Sequence, residues 1–121
     1  MAVTYTIDPA RRLVVSVASG LVSAEDFLEQ GKRLAEDPLF EPSFDQILDL
    51  RAATQIELPT PALKGMASLR LFGAGSRRAL VAPRDLVFGL ARMYESLRAD
   101  APESIKTFRT LEEARRWLGL E

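Results

Sequence analysis

The sequence has 121 residues, with 16 Lys and Arg against 17 Asp and Glu, no Cys and no His. Its 47% hydrophobic and 27% charged residues are the balance of an ordinary globular domain, at a length that builds one core. The missing thiols and imidazoles exclude disulfides, thiolate metal sites, cysteine nucleophiles and the Ser-His-Asp triad, leaving a carboxylate-held hard cation as the open metal chemistry.

Val3, Tyr5 and Ile7 alternate with Thr4, Thr6 and Asp8, the period-two pattern of a half-buried strand. Asp8-Pro9 starts a turn, and the apolar run 13–18 gives a second strand, antiparallel to the first and broken by Gly20. Ser23 reads as an N-cap with Asp26 three residues on. That helix runs to about residue 36, burying Phe27, Leu28, Gly31, Leu34 and Ala35, and Asp37-Pro38 stops it. Residues 44–50 form a third strand through Ile47, Leu48 and Leu50.

Thr60-Pro61 is a hydroxyl cap followed by a proline, opening a helix to Phe72 that buries Leu63, Met66, Ala67 and Leu71. Gly73-Ala74-Gly75 ends it as a C-cap; running from helix to strand, it is not a phosphate loop. Residues 78–82 are the fourth strand. Asp85 then caps a helix whose core stripe is Leu86, Leu90, Met93 and Leu97. A short strand at 105–108 precedes a last helix, where Thr110 and Glu113 form a capping box and Leu111, Ala114, Trp117 and Leu118 share a face. The order β-β-α-β-α-β-α-β-α predicts one α/β domain over residues 1–121. Its sheet is mixed but mostly parallel, with five strands and four helices.

These residues carry a resemblance. Gly20 before a capped helix, Asp37-Pro38-Leu39-Phe40, the strand ending Asp49-Leu50-Arg51, and the stretch from Val81-Ala82-Pro83-Arg84 through Phe88-Gly89-Leu90-Ala91-Arg92-Met93-Tyr94 are similar to the compact single-domain STAS-like proteins of bacteria. Phe108-Arg109, Glu112-Glu113-Ala114 and Trp117-Leu118 fit the same pattern. The resemblance implies the fold of the anti-sigma-factor antagonists. Antagonists are switched by phosphorylation of a Ser in an Asp-Ser-Ser-Gly-like turn after the third strand. The corresponding segment here, residues 49–60, lacks that motif and offers only Thr54 and Thr60 as hydroxyls. Thr60 has a capping role to fill.

Among candidate sites, Asp45 and Asp49 would lie roughly 13 Å apart on one strand, too far for a catalytic pair or one small cation. Asp45 is expected to face solvent, and Asp49 to be a ligand contact at a strand end. Arg51, Arg84 and Arg109 follow strands three, four and five, where open α/β sheets bind ligands, and with Asp49 they mark an anion-binding edge. The alternative is that each guanidinium pairs with Asp49, Asp85 or Glu112. On the helix from Asp85, Phe88 lies off the core stripe beside Gly89 and Arg92. With Tyr94 these mark a surface for a protein partner or a second copy, enriched as such surfaces are in aromatics and Arg. The alternative is that Phe88 packs under a loop of its own chain.

The charge divides unevenly: residues 1–60 hold ten acids and five bases, residues 61–121 seven acids and eleven bases. A near-neutral total argues against general nucleic-acid binding. No apolar run approaches the ~20 residues of a membrane span, and the N-terminus lacks a signal-peptide pattern, so a cytoplasmic location is expected. The expected function is non-catalytic, without metal or cofactor. It acts through protein contacts, with a homodimer among them, or else binds a small anionic or lipid-like molecule. An internal cavity would favour the second.

Overall fold

Alternation at the N-terminus builds a hairpin in the computed structural model, which describes residues 2–120. Strands β1 (Val3–Asp8) and β2 (Leu13–Ser23) pair antiparallel from Val3↔Ala18 to Asp8↔Leu13. The chain continues through α1 (Ala24–Glu36), β3 (Asp45–Glu57), α2 (Thr60–Ala67), β4 (Arg77–Val81), α3 (Asp85–Leu97), β5 (Ser104–Phe108) and α4 (Leu111–Trp117). The sheet order is β1-β2-β3-β4-β5, with every pair after the hairpin parallel. The expected class and element order are what the structure shows.

Alternating side chains divide the sheet into two faces. Val14, Ser16 and Ala18 of β2, Leu48 and Leu50 of β3 and Leu80 of β4 face the side covered by α1, α2 and α3; Leu13, Ile47, Ala79 and Val81 face α4 with Ala114 and Leu118. One face therefore carries three helices and the other carries one.

Several boundaries differ from the sequence-based expectation, each for a physical reason. Strand β2 does not stop at Gly20: the glycine takes φ 68° at a register shift, a conformation that lets the strand bulge and continue to Ser23. Strand β3 runs on past Leu50, pairing with β2 alone as far as Ser23↔Glu57. This ribbon brings Ile56 over the core and was invisible as alternation because Arg51, Ala52, Thr54 and Gln55 are exposed. Helix α2 ends at Ala67, capped by Ser68, so residues 73–75 are the turn into β4 and not its C-cap. Pro59, not Thr60, occupies the N-cap of α2, and Thr60 is its exposed first residue. Likewise Arg84 precedes α3 where Asp85 was expected to cap it. The Ser23–Asp26 capping box is present in full, whereas the Glu113 carboxylate takes the Thr110 hydroxyl instead of closing a second box. On α1, Leu34 is fully buried and Phe27 and Gly31 half-buried, but Leu28 and Ala35 are exposed and Gln30 is buried in their place.

The eight-residue α2 has α1 and α3 as its close helical neighbours and bridges them above the sheet. Its far end is held by one buried side chain. Arg98, just past α3, donates through Nη1 to the carbonyls of Ala67 and Leu69, each at 2.9 Å, satisfying groups that a helix end leaves open. Its Nη2 reaches both oxygens of Glu103 at 2.7 Å, and the Glu103 side chain is 0% exposed. Removing one partner of such a buried pair strands the other. Arg98→Met should lower unfolding free energy by about 3–5 kcal/mol in urea titrations; a loss under about 1 kcal/mol would contradict this clamp.

Candidate functional site

The arginines expected at the strand ends are each engaged within the chain. Arg51 grips Asp49 through Nε and Nη2 at 3.0 and 2.9 Å, and its backbone N–H also donates to that carboxylate. Arg84 donates to the Ala53 carbonyl on the edge of the β3 ribbon. Arg109 pairs with Asp85 at 2.6 Å, donates to the Pro83 carbonyl and lies 3.9 Å from the centroid of the Phe88 ring. Pairing with Asp49 and Asp85, the alternative raised for Arg51 and Arg109, is thus what the structure shows. Asp45 does not simply face solvent: it accepts from the Arg77 backbone N–H at 2.9 Å and pairs with its guanidinium at 3.3 Å. Thr54 and Thr60 are exposed.

Helix α3 is turned by about one residue from the expected stripe. Leu86 is 87% exposed, and Met93 and Leu97 are nearly half exposed. The inward face is Val87, Ala91 and Tyr94, with Arg98 following at the same spacing, while Leu90 of the expected stripe is half-buried. Phe88 is half-buried against the core beneath the Arg109 side chain, the loop-covered alternative for this residue. Gly89 and Arg92 are exposed and line a shallow groove between α2 and α3 with Phe88, whereas Tyr94 points into the interior.

Beneath α2 the three helices and the sheet form a half-open cavity of about 140 Å³. Phe27, Leu48, Leu63, Leu80, Val87 and Ala91 form much of its apolar wall, drawn from α1, β3, α2, β4 and α3. Ile56 and Leu58 close one side from the end of the β3 ribbon. The exposed Leu28 and Leu69, which also line it, place its mouth between α1 and the segment after α2.

The polar side chains of the wall are joined by hydrogen bonds that run through the buried Ser16 behind it. Arg78 Nε donates to Gln46 Oε1 at 2.9 Å, Gln46 Nε2 donates to Ser16 Oγ at 3.0 Å, and Ser16 Oγ donates to Gln30 Oε1 at 2.5 Å. A guanidinium has no acceptor, so Arg78 fixes the orientation of the Gln46 amide, whose nitrogen then faces Ser16. Arg78 Nη1 also donates to the Tyr94 hydroxyl at 2.9 Å and to Glu103 at 3.2 Å, joining this chain to the Arg98 clamp. Its guanidinium stacks against Phe72 and Tyr94, at 4.7 and 5.5 Å from their ring centroids.

Gln30, Gln46, Ser16, Arg78 and Glu103 were absent from the sequence-based candidates. Their signal is positional: Ser16 and Gln46 sit at inward positions of strands that otherwise alternate apolar side chains, and Gln30 falls between Phe27 and Leu34 on the core face of α1. Among the described residues, no three His, Cys, Asp or Glu side chains gather as a metal site would require.

One carboxylate outside the cavity has a testable titration. Burial alone would raise the Asp49 carboxyl, but the hydrogen bonds and charge of Arg51 outweigh it and hold the group below the usual carboxylate range. A depressed folded value stabilises the protein fully above the unfolded value near ~3.9, and that stability is lost as pH falls through the folded value. Urea midpoints should therefore show Asp49→Asn less stable than the parent at pH 7. The gap should close below about pH 4; a gap constant down to about pH 2 would contradict the pairing.

Comparison with known proteins speaks to the fold. No family model matches the chain, and no curated protein matches it. A solved structure does: an uncharacterised DUF3478-family protein with a SpoIIAA-like fold from Shewanella loihica PV-4. It superimposes with a TM-score of 0.62 over 97% of this chain and 94% of its own, at 18% identity. The chain therefore has the SpoIIAA-like, or STAS-like, fold that its residues resembled.

Proposed function

We propose that this chain is a cytoplasmic, non-catalytic binding domain that holds a small, largely apolar molecule in the cavity beneath α2. The observation that carries the reading is the cavity itself: about 140 Å³ of apolar space, polar along one wall, with a mouth beside exposed leucines. An engineered apolar cavity of about 150 Å³ stays dry and takes up benzene, so this volume suits a ligand of roughly six to ten heavy atoms. Binding would recover dispersion contacts that the empty walls forgo. The cavity residues include no paired acid and base positioned for chemistry, which favours a carrier or sensor over an enzyme.

Filling the space should abolish binding without unfolding the protein. Ala91 is buried in α3 and lines the cavity, and Ala91→Met extends a flexible apolar side chain into it. Toluene at ten times its dissociation constant should stabilise the parent by about 1.4 kcal/mol and leave Ala91→Met unmoved, while the unliganded variant melts no lower than the parent. An equal response from both proteins, or none from the parent at saturating toluene, would sink the reading.

A second reading is self-association through the outer face of α3, and the observation favouring it is the exposure of Leu86, Met93 and Leu97 beside the groove lined by Gly89 and Arg92. Light scattering should then give twice the chain mass for the parent and one chain for Met93→Glu. A single-chain mass for the parent at high concentration removes this reading.

A further inference from the structure

Resting on the reading of the cavity as a binding site, we infer that its ligand is a compact monocarboxylate. The carboxylate meets Arg78, with the Tyr94 hydroxyl and the Gln30 amide as further donors, and the apolar body lies against Leu48, Leu80 and Ala91.

The inference follows from which hydrogen-bonding groups the polar wall leaves over. Arg78 spends Nε on Gln46 and Nη1 on Tyr94 and Glu103, while Nη2 has no acceptor among the described residues. Because Arg78 donates, Gln46 must present its oxygen to Arg78 and its amide nitrogen to Ser16, and Ser16 Oγ in turn donates to the oxygen of Gln30. Gln30 is 8% exposed, and its Nε2 has no hydrogen-bond partner among the described residues. Tyr94 accepts from Arg78, so its own hydroxyl proton remains to be given. Gln30, Arg78 and Tyr94 all line the cavity, and each retains an unused donor. An acceptor-rich head can therefore meet three donors on this wall.

Charge selects among acceptors. Two guanidiniums, Arg78 and Arg98, share the single buried carboxylate of Glu103. The carboxylate sits closer to Arg98, at 2.7 Å to both oxygens, than to Arg78 at 3.2 Å. Arg98 also has the Ala67 and Leu69 carbonyls at the end of α2. Arg78, the guanidinium on the cavity wall, thus has the longer contact with the shared carboxylate. A carboxylate supplies both the acceptors and a negative charge, with the planar geometry a guanidinium matches.

Benzoate, toluene and benzylamine share an aromatic body that suits the volume and differ in the head, so titration of all three separates this inference from the reading beneath it. Calorimetry at pH 7 should give benzoate at least tenfold tighter binding than toluene, with benzylamine weakest. Tyr94→Phe, which deletes one hydroxyl, should weaken benzoate several-fold and leave toluene unchanged. Arg78→Met should erase the preference for benzoate, and Ala91→Met should abolish both ligands. Toluene binding as tightly as benzoate would overturn the carboxylate inference and leave the cavity reading standing. Binding of none of the three would overturn the cavity reading itself. Benzoate binding that survives Ala91→Met would place it outside the cavity and overturn the inference.

Discussion

Arginine can only donate hydrogen bonds, and much of the interior is organised by where two arginines do so. Arg98 fastens the end of α2 to the segment after α3, and Arg78 starts the chain of bonds that crosses β4, β3 and β2 to reach α1. Glu103 joins the two. Buried charges of this kind are poor sources of net stability, since desolvation offsets most of their attraction. What they do supply is position. The clamp holds α2 at its end while the helix bridges α1 and α3, and the space beneath it follows from that placement.

The same constraint gives the cavity its chemical character. A wall of leucines alone would accept any apolar molecule of the right size. The Arg78-directed chain leaves unused donors on residues that line the cavity and places a guanidinium among them, which is the basis of the proposed preference for a carboxylate head. The outer surface has no comparable arrangement around the strand-end arginines. Arg51, Arg84 and Arg109 are occupied by Asp49, the Ala53 carbonyl and Asp85, and act as fastenings between neighbouring segments.

Period-two alternation in Val3 to Ile7 and the apolar runs of β2 and β4 made the hairpin and the parallel order readable, because those strands are covered on defined faces. Caps were readable where a side chain does the capping, as at Ser23 and Thr110, and misplaced where a backbone turn does it, as at Pro59 and Arg84. The stripe of α3 was displaced by one residue because its buried face is made of Val87, Ala91, Tyr94 and Arg98, smaller or more polar than the exposed Leu86 and Met93. Hydrophobicity ranks residues one at a time, whereas burial depends on which face a neighbour covers. The cavity was legible only in its parts. Ser16, Gln30 and Gln46 occupy inward positions, but nothing local shows that α2 stands off the sheet and leaves Gln30 and Gln46 a space to line.

The central claim is that a small acid sits inside the protein, with its body beneath α2 and its head at Arg78. Isotope-filtered NOE spectroscopy of labelled protein with benzoate measures this directly, since it reports which protons the ligand touches. The account predicts cross-peaks from the ring protons to the methyl groups of Leu48, Leu80 and Val87, residues that line the cavity. Cross-peaks confined to surface residues such as Leu86 or Leu39, with none from the cavity wall, would contradict it.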